Sequence, residues 1–527
     1  LVWTLFTVYN RSDMNSTRAS KSVVILGFLF FELLVLMAYA PALGYAFTYD
    51  DFTHIHNNAL VVQEGFRWSH VIEIFQSPTA PGNLYRPLAI LSYYLQYSIW
   101  GLDSFSFHLL NLLLHGLNAF LVWVSLSSLL SRPLSLRGSI EPMPTLWSGV
   151  PFATAILFAL HPLHVEAVAN VSGRTELLSC SFGLLAVILF QTCKWSPLAA
   201  LSLFFACLSK ESALVFGLVI GVAQIWGIKN PVALFKDRRM QLLALAGLGA
   251  FVLRMLILRD QSLISWGSET YHPENPFQYL SFFERVFPGI VYLGHYLYLM
   301  IIPSPLIADY SIGLKDFWQS CWSYQGLSYS LLLALYGFSI LCARGKFFGL
   351  WFFMAFLITC NIFLPIGTVM GERLAYIPSI GFLSYLVINL SHLIRVRILR
   401  RSLYLVVCLA YLLGIQSRLP VWQNDLTLFQ RTFVDAPLNV RPAVFLSRYW
   451  FREKKDLEAA RKYLLHIYEL DDTNLYSQKL LLHISLLEKR LPEAKLWAER
   501  ILRVQPDDPL ALTIKRGIKQ LSDDPKS

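Results

Sequence analysis

SVVILGFLFFELLVLMAYAPALGYAFTYDD, residues 22–51, is the stretch on which the reading of the whole chain turns. The run from Ser22 to Phe47 matches the length a bilayer's hydrocarbon core requires, roughly 20 apolar residues. Two adjacent carboxylates, Asp50 and Asp51, follow where the chain leaves the membrane. Such a pair suits acid-base chemistry, and it is also what an ordinary acidic end to a transmembrane helix looks like.

The apolar pattern recurs along the chain. Hydrophobic residues make up 55% of the 527 and charged residues 15%, with a mean hydropathy of +0.49; soluble domains are roughly one quarter charged. The chain reads as an all-α, polytopic membrane protein with spans expected at 22–46, 106–130, 148–163, 176–193, 197–208, 212–227, 240–258, 326–343, 348–366, 376–393 and 402–417. Eleven spans from a cytoplasmic N-terminal segment (1–21) leave the C-terminus outside the cytoplasm. The apolar segment 286–302 would break that parity as a full crossing, and is read as re-entrant or interfacial. The first span runs too long for a cleavable signal peptide and reads as a signal anchor, with Met14 a candidate start.

The net charge of +10 would suggest nucleic acid in a soluble protein. Here the basic residues sit in short loops, among them Arg11, Arg18, Lys21, Arg132, Arg137, Lys229, Arg344 and Arg397. The positive-inside rule accounts for them without a polyanionic partner and fixes the orientation. Neither a disulfide framework nor a zinc spacing is present among the seven cysteines.

The membrane pattern, 22–418, stops near Arg418. The last 109 residues (527 − 418) carry 18 Lys/Arg and 15 Asp/Glu, a water-soluble composition. Within 419–527 a period of 34 aligns Ala460, Leu464, Ile467 and Asp472 with Ala494, Ala498, Ile501 and Pro506. Small residues at the first two places let paired helices approach, as in the second helix of a tetratricopeptide repeat. A partial unit is expected to begin near Trp422 and to pack on the membrane domain. Such repeats form concave surfaces that bind polypeptides.

Acidic residues concentrate in the outside loops, in four clusters. Asp50 and Asp51 precede His54-Ile55-His56-Asn57-Asn58 and Tyr85-Arg86-Pro87. His161, His164 and Glu166 precede Arg174 and Glu176; Lys210-Glu211 and Glu372-Arg373 break two further apolar runs. The HxxH spacing is not a zincin arrangement, which needs His at i and i+4 around a Glu, so no metal is assigned. Lys210-Glu211 and Glu372-Arg373 are also open to local neutralisation, as ionisable groups near membrane depth generally pair. Together the clusters supply what a lipid-linked phosphosugar needs. Cations hold a phosphate and stabilise its departure, and a carboxylate takes the proton from an incoming hydroxyl.

At these residues the chain resembles the transmembrane and tetratricopeptide repeat-containing O-mannosyltransferases and their bacterial relatives. FTYDDFTHIHNN, LYRPLAILSYYLQYSIWG, HPLHVEAVANVSGRTELLS, LSKES, PSPLIADYS, GERLAYIPSIGF and VWQNDLTLFQRTFVDAPLNV occur in the family's order, from about Ser22 to Asp508. The resemblance implies a GT-C-type transmembrane helix bundle with a C-terminal tetratricopeptide-like domain. It also implies transfer of a sugar, mannose in the family, from a polyprenyl-phosphate donor to a Ser/Thr hydroxyl of protein on the extracytoplasmic side; direct attack of that hydroxyl at the anomeric carbon is expected to invert its configuration.

Asp50 and Asp51 match the family's catalytic acidic pair. Arg174, Lys210, Arg373 and Arg86 are the expected donor-phosphate ligands, Arg86 also serving its loop. His161, His164, Glu166, Glu176, Glu211 and Glu372 are the expected sugar and acceptor ligands. No cofactor is required, although a carboxylate pair could hold a divalent ion. A protein acceptor held by the repeats and the surrounding membrane lipids are the expected partners. The short repeat array departs from the long arrays of animal members and leaves a lipid or glycan acceptor open; a transporter and a non-catalytic repeat scaffold are the alternatives from other classes. The cysteine-poor, repeat-short form favours a bacterial inner membrane over an endoplasmic reticulum membrane.

Overall fold

A computed structural model describes residues 17–79, 84–130, 149–192, 196–226, 236–259 and 275–522. The basic loops at 131–148, 193–195 and 227–235, from which orientation was read, lie outside the described residues, as does most of the segment 1–21. The described chain is helical, with an isolated bridge between Thr79 and Leu84.

Among the described residues seven helices are long and apolar enough to cross a membrane: Ser22–Gly44, Ser104–Leu130, Val171–Thr192, Arg238–Leu258, Tyr324–Cys342, Glu372–Leu393 and Arg397–Trp422. An eighth is the pair Val150–Ala159 and Pro162–Ala169, bent by 53°. Pro197–Ser209, Glu211–Ile225 and Lys346–Phe356 are shorter apolar helices. These elements fall at the eleven expected positions in order, but the last three are too short to be counted as full crossings on their own.

Burial sorts the helices. Val171–Thr192 and Glu372–Leu393 are 78% and 72% buried, and Ser104–Leu130 67%, whereas Arg397–Trp422 is 11% buried and Arg238–Leu258 22%. The first three form the centre of the bundle and the others present apolar side chains outward, where lipid replaces protein as the neighbour. With no hydrophobic drive between helices in lipid, close backbone approach does the work. A Cβ on Gly381 would lie 2.6 Å from Trp351 and 2.8 Å from the Phe348 carbonyl, so this crossing requires glycine.

The segment 286–302 belongs to a continuous 20-residue helix, Phe282–Ile301. Along its length it meets Phe363, Trp322, Phe317, Tyr329, Phe356 and the Gly371 carbonyl. It packs closely on the helix Tyr324–Cys342, where a Cβ on Gly294 would lie 2.1 Å from the Tyr329 carbonyl.

The tail packs consecutive antiparallel helices: Asp425–Asp435, Val440–Arg452, Leu457–Leu470, Leu475–Leu487, Leu491–Val504 and Pro509–Ser522. Ala460, Leu464, Ile467, Ala494, Ala498 and Ile501 are all fully buried between them, in the register the 34-residue period requires. The helix starts repeat as well. Asn439, Asn474 and Asp508 each accept a backbone N–H from the first turn that follows, the capping that these short polar residues favour. Trp422 is fully buried against the membrane bundle.

Candidate functional site

The chain turns into the site at Tyr49, which has a φ of 52°, and winds through Asp50 and Asp51 into a π-helical turn, Phe52–His56. Consecutive helical residues point about 100° apart, and the two aspartates separate accordingly. Asp51 is fully buried. Its Oδ2 accepts the N–H groups of Thr48 (3.0 Å) and Val171 (3.3 Å), and its Oδ1 that of Ser172 (2.7 Å). It thereby fastens the loop to the turn before Arg174. Burial pushes its carboxyl up to about 7, against the pull of those three N–H groups.

Asp50 points the other way, with a third of its side chain exposed (31%), and its Oδ2 lies 3.1 Å from Arg373 Nη2. Arg373 is held from behind: its Nη1 donates to Glu166 Oε1 at 2.6 Å and its backbone N–H to Glu166 Oε2 at 2.8 Å. His54 stands within the fields of Asp50, Arg86 and Arg373; burial lowers its imidazole pKa and Asp50 opposes that. Asp50, His54, Arg86 and Arg373 thus form one cluster, open to solvent chiefly at Asp50 and Arg373.

Beside it, Arg86 forks onto Glu211 at 2.7 and 3.2 Å, and Arg254 comes to 3.5 Å of the same carboxylate. Lys210 pairs with Glu176 in the interior. These five groups carry three positive charges against two negative, an excess cation at the mouth of the bundle. Glu372 turns inward to Arg418 (3.2 Å) and Tyr310 (3.4 Å).

Several expected ligands lie in the interior. Arg174 is fully buried, its Nε donating to Asn111 Oδ1 (2.9 Å), Nη2 to the Phe107 carbonyl (3.0 Å) and Nη1 to Ser92 Oγ (3.3 Å), with Tyr93 over its plane. It locks helices together and is not part of that cluster. His161 and His164, also fully buried, repair the bend at Pro162. Proline has no N–H to give the Phe158 carbonyl four residues back, and His164 Nδ1 donates to that carbonyl instead, at 2.8 Å. The Leu163 N–H, turned away from Ala159, is accepted by His161 Nδ1 at 3.2 Å. The Ala159 carbonyl is met by His115 Nε2 at 3.1 Å. Glu176 and Glu372 are likewise directed to Lys210 and Arg418, and not to an open surface.

Sequence reasoning missed Arg254, which sits inside an apolar span, and the tail residues Asp425 and Arg441. A polar residue in a lipid-facing helix was the available signal for Arg254. Nothing local signalled the tail residues, which reach Tyr49 across the fold. Among the described residues no group of three His, Cys, Asp or Glu side chains could hold a metal ion.

No protein-family model and no solved structure matches the chain. Curated proteins do. Protein O-mannosyl-transferase F38B6.6 of Caenorhabditis elegans is 27% identical over 389 residues, covering 70% of this chain and 52% of its own. Protein O-mannosyl-transferase TMTC4 of Mus musculus is 27% identical over 457 residues, 77% of this chain and 61% of its own. Human protein O-mannosyl-transferase TMTC1 is 25% identical over 460 residues, 77% and 50%. The chain spans about half to three fifths of the length of these relatives. In sequence the chain is thus similar to these protein O-mannosyl-transferases, at 25–27% identity over 70–77% of its length.

Proposed function

We propose that the chain transfers a sugar, mannose by analogy with its relatives' names, from a polyprenyl-phosphate donor to a protein Ser/Thr hydroxyl on the extracytoplasmic face, in a GT-C-type membrane domain. The observation that carries this reading is the pairing of a part-exposed carboxylate, Asp50, with Arg373 at the mouth of a membrane bundle.

The chemistry follows from that pair. While Arg373 holds Asp50, the carboxylate is a weak base. An arriving donor phosphate competes for Nη2, the arm of Arg373 that Glu166 does not hold, and leaves Asp50 free to accept a proton. The acceptor hydroxyl then attacks the anomeric carbon from the face opposite the phosphate. The new C–O bond forms as the bond to the lipid phosphate breaks, the hydroxyl proton passes to Asp50, and configuration inverts. Arg373 and Arg86, with Arg254 behind it, stabilise the departing phosphate. Asp51 serves as the loop's anchor and not as the base. The scheme uses no metal.

The tail stands on the same side as Asp50, since the Ala46 N–H donates to the Gln423 carbonyl at 3.1 Å, and its repeats would present a polypeptide acceptor there. The positive-inside bias of the sequence supports an extracytoplasmic assignment for that side.

The test is transfer from radiolabelled polyprenyl-phosphate mannose by purified protein in detergent, with extracytoplasmic proteins and lipids as acceptors and Asp50→Asn as control. Label in protein with wild type alone supports the reading. Label in lipid moves the acceptor, and no transfer from any polyprenyl donor overturns it.

A further inference from the structure

We infer that the start of the repeat region is part of the machinery that aims Asp50, with Arg441 as the positioning residue through which it acts. This rests on Asp50 being the base.

Tyr49, the residue before Asp50, holds a left-handed backbone at φ 52°, a conformation non-glycine residues disfavour and keep only when their surroundings impose it. The imposing contacts come from the tail. The Tyr49 N–H donates to Asp425 Oδ1 at 2.7 Å. Its hydroxyl accepts from Arg441 Nη1. Its ring meets Phe429 edge-on at 5.7 Å, and the Arg441 guanidinium stands 5.7 Å from its centre. Phe429 is stacked in turn on Phe445, 4.2 Å away in the next helix.

Arg441 is fixed from a third segment. Its Nε lies 3.2 Å from Asp309 Oδ2, and the Asp309 carbonyl accepts from Asn439 Nδ2 at 2.9 Å. One guanidinium therefore ties the tail to the loop after the helix Phe282–Ile301 and to the residue that precedes the base. If Tyr49 relaxes to a right-handed or extended backbone, the chain after it rotates. Asp51 has three backbone bonds to resist that rotation, whereas Asp50 has its bridge to Arg373. The tail's contribution is thus to the rate of the chemical step, separate from any recruitment of acceptor.

The experiment compares full-length wild type, Arg441→Ala, Arg441→Lys and, as a tail control, Arg461→Ala, whose arginine pairs with Glu488 and Glu493 within the repeats. Two readouts are taken: steady-state transfer from mannosyl polyprenyl phosphate to a short Ser/Thr peptide, and amide hydrogen exchange. Arg441→Ala should lower kcat at least tenfold with acceptor KM within twofold of wild type, and should quicken exchange at 46–52. Lysine should restore part of kcat, reaching Tyr49 or Asp309 but not both, and Arg461→Ala should leave kcat unchanged. A raised KM with normal kcat, an equal loss in Arg461→Ala, or unchanged exchange at 46–52 overturns the inference. If wild type itself transfers nothing, the transferase reading fails and the exchange readout alone decides whether Arg441 braces the loop.

Discussion

The Arg373 guanidinium stands 3.1 Å from the Asp50 carboxylate, with its other arm 2.6 Å from the buried Glu166. Arg373→Ala should therefore have two separable effects. The apparent donor KM should rise and kcat/KM fall by about 10²–10³, the loss expected when a preorganised charge-stabilising donor is removed. Glu166, left buried without its partner, should also lower the melting midpoint by an amount equivalent to about 3–5 kcal/mol. The double variant Arg373→Ala/Glu166→Gln should recover most of the midpoint and none of the activity. Recovery of both would show that Arg373 serves only the fold.

The two aspartates should part company on amidation. Asp50→Asn keeps shape and loses the proposed base, so its melting midpoint should match wild type while transfer disappears. Asp51→Asn turns an amide donor toward one of the N–H groups that Asp51 now accepts, at Thr48, Val171 or Ser172. It should cost about 1–3 kcal/mol of stability and reduce activity only through the loop. Thermal melts and transfer rates on both proteins decide this; a stable, inactive Asp51→Asn would assign the base to Asp51.

Asp51 also gives a pH signature. Burial raises its carboxyl from the ordinary 3.8 to about 7, so between those values the folded protein holds a proton that the unfolded chain has released. Its contribution to stability is complete below the ordinary value and is lost as pH rises toward about 7, after which it is flat. The slope within the window is at most about 1.4 kcal/mol per pH unit. Melting midpoints of wild type against Asp51→Asn across about pH 4 to 8 should converge as pH rises. Parallel curves would mean that Asp51 is ionised throughout.

The fold and the repeat were legible because they rest on short-range periodicity: the buried alanines at 460, 494 and 498 follow from spacing alone. That Asp50 and Asp51 face different surroundings also follows from their adjacency, since consecutive helical residues point about 100° apart. What could not be read was partnership. Arg174, Lys210 and Arg373 look alike in sequence, each a cation at a span mouth, yet Arg174 is enclosed by Asn111 and Phe107, Lys210 by Glu176, and Arg373 alone meets Asp50. The histidines of HPLH misled for a related reason. Their chemistry suits ligands, but the proline between them creates the backbone vacancies they fill.

The turn that Asp51 grips depends on a single small residue. A Cβ on Gly173 would lie 2.4 Å from the Ala167 carbonyl, so Gly173→Ala must push Val171 and Ser172 away from the helix before them. Asp51 loses its N–H partners as a consequence. Overpacking of this kind costs about 1–3 kcal/mol, and exchange at 46–52 should quicken together with that at 167–175. Quickening confined to 167–175 would show that the loop holds its place without the turn.

Arg174 offers the sharpest contrast with Arg373, since both were expected to bind phosphate. Arg174→Ala removes the donors that satisfy Asn111 Oδ1 and the Phe107 carbonyl and empties the space beneath Tyr93. Orphaned buried acceptors cost about 1–3 kcal/mol, and the cavity adds to that. The melting midpoint should fall, while the fraction that remains folded keeps the wild-type donor KM. Arg174→Met, which refills the volume without the charge, should regain part of the midpoint and leave KM unchanged. A donor KM that rises in both variants while the midpoint stays put would return Arg174 to the phosphate site and require the interior between Tyr93 and Phe107 to open during the reaction.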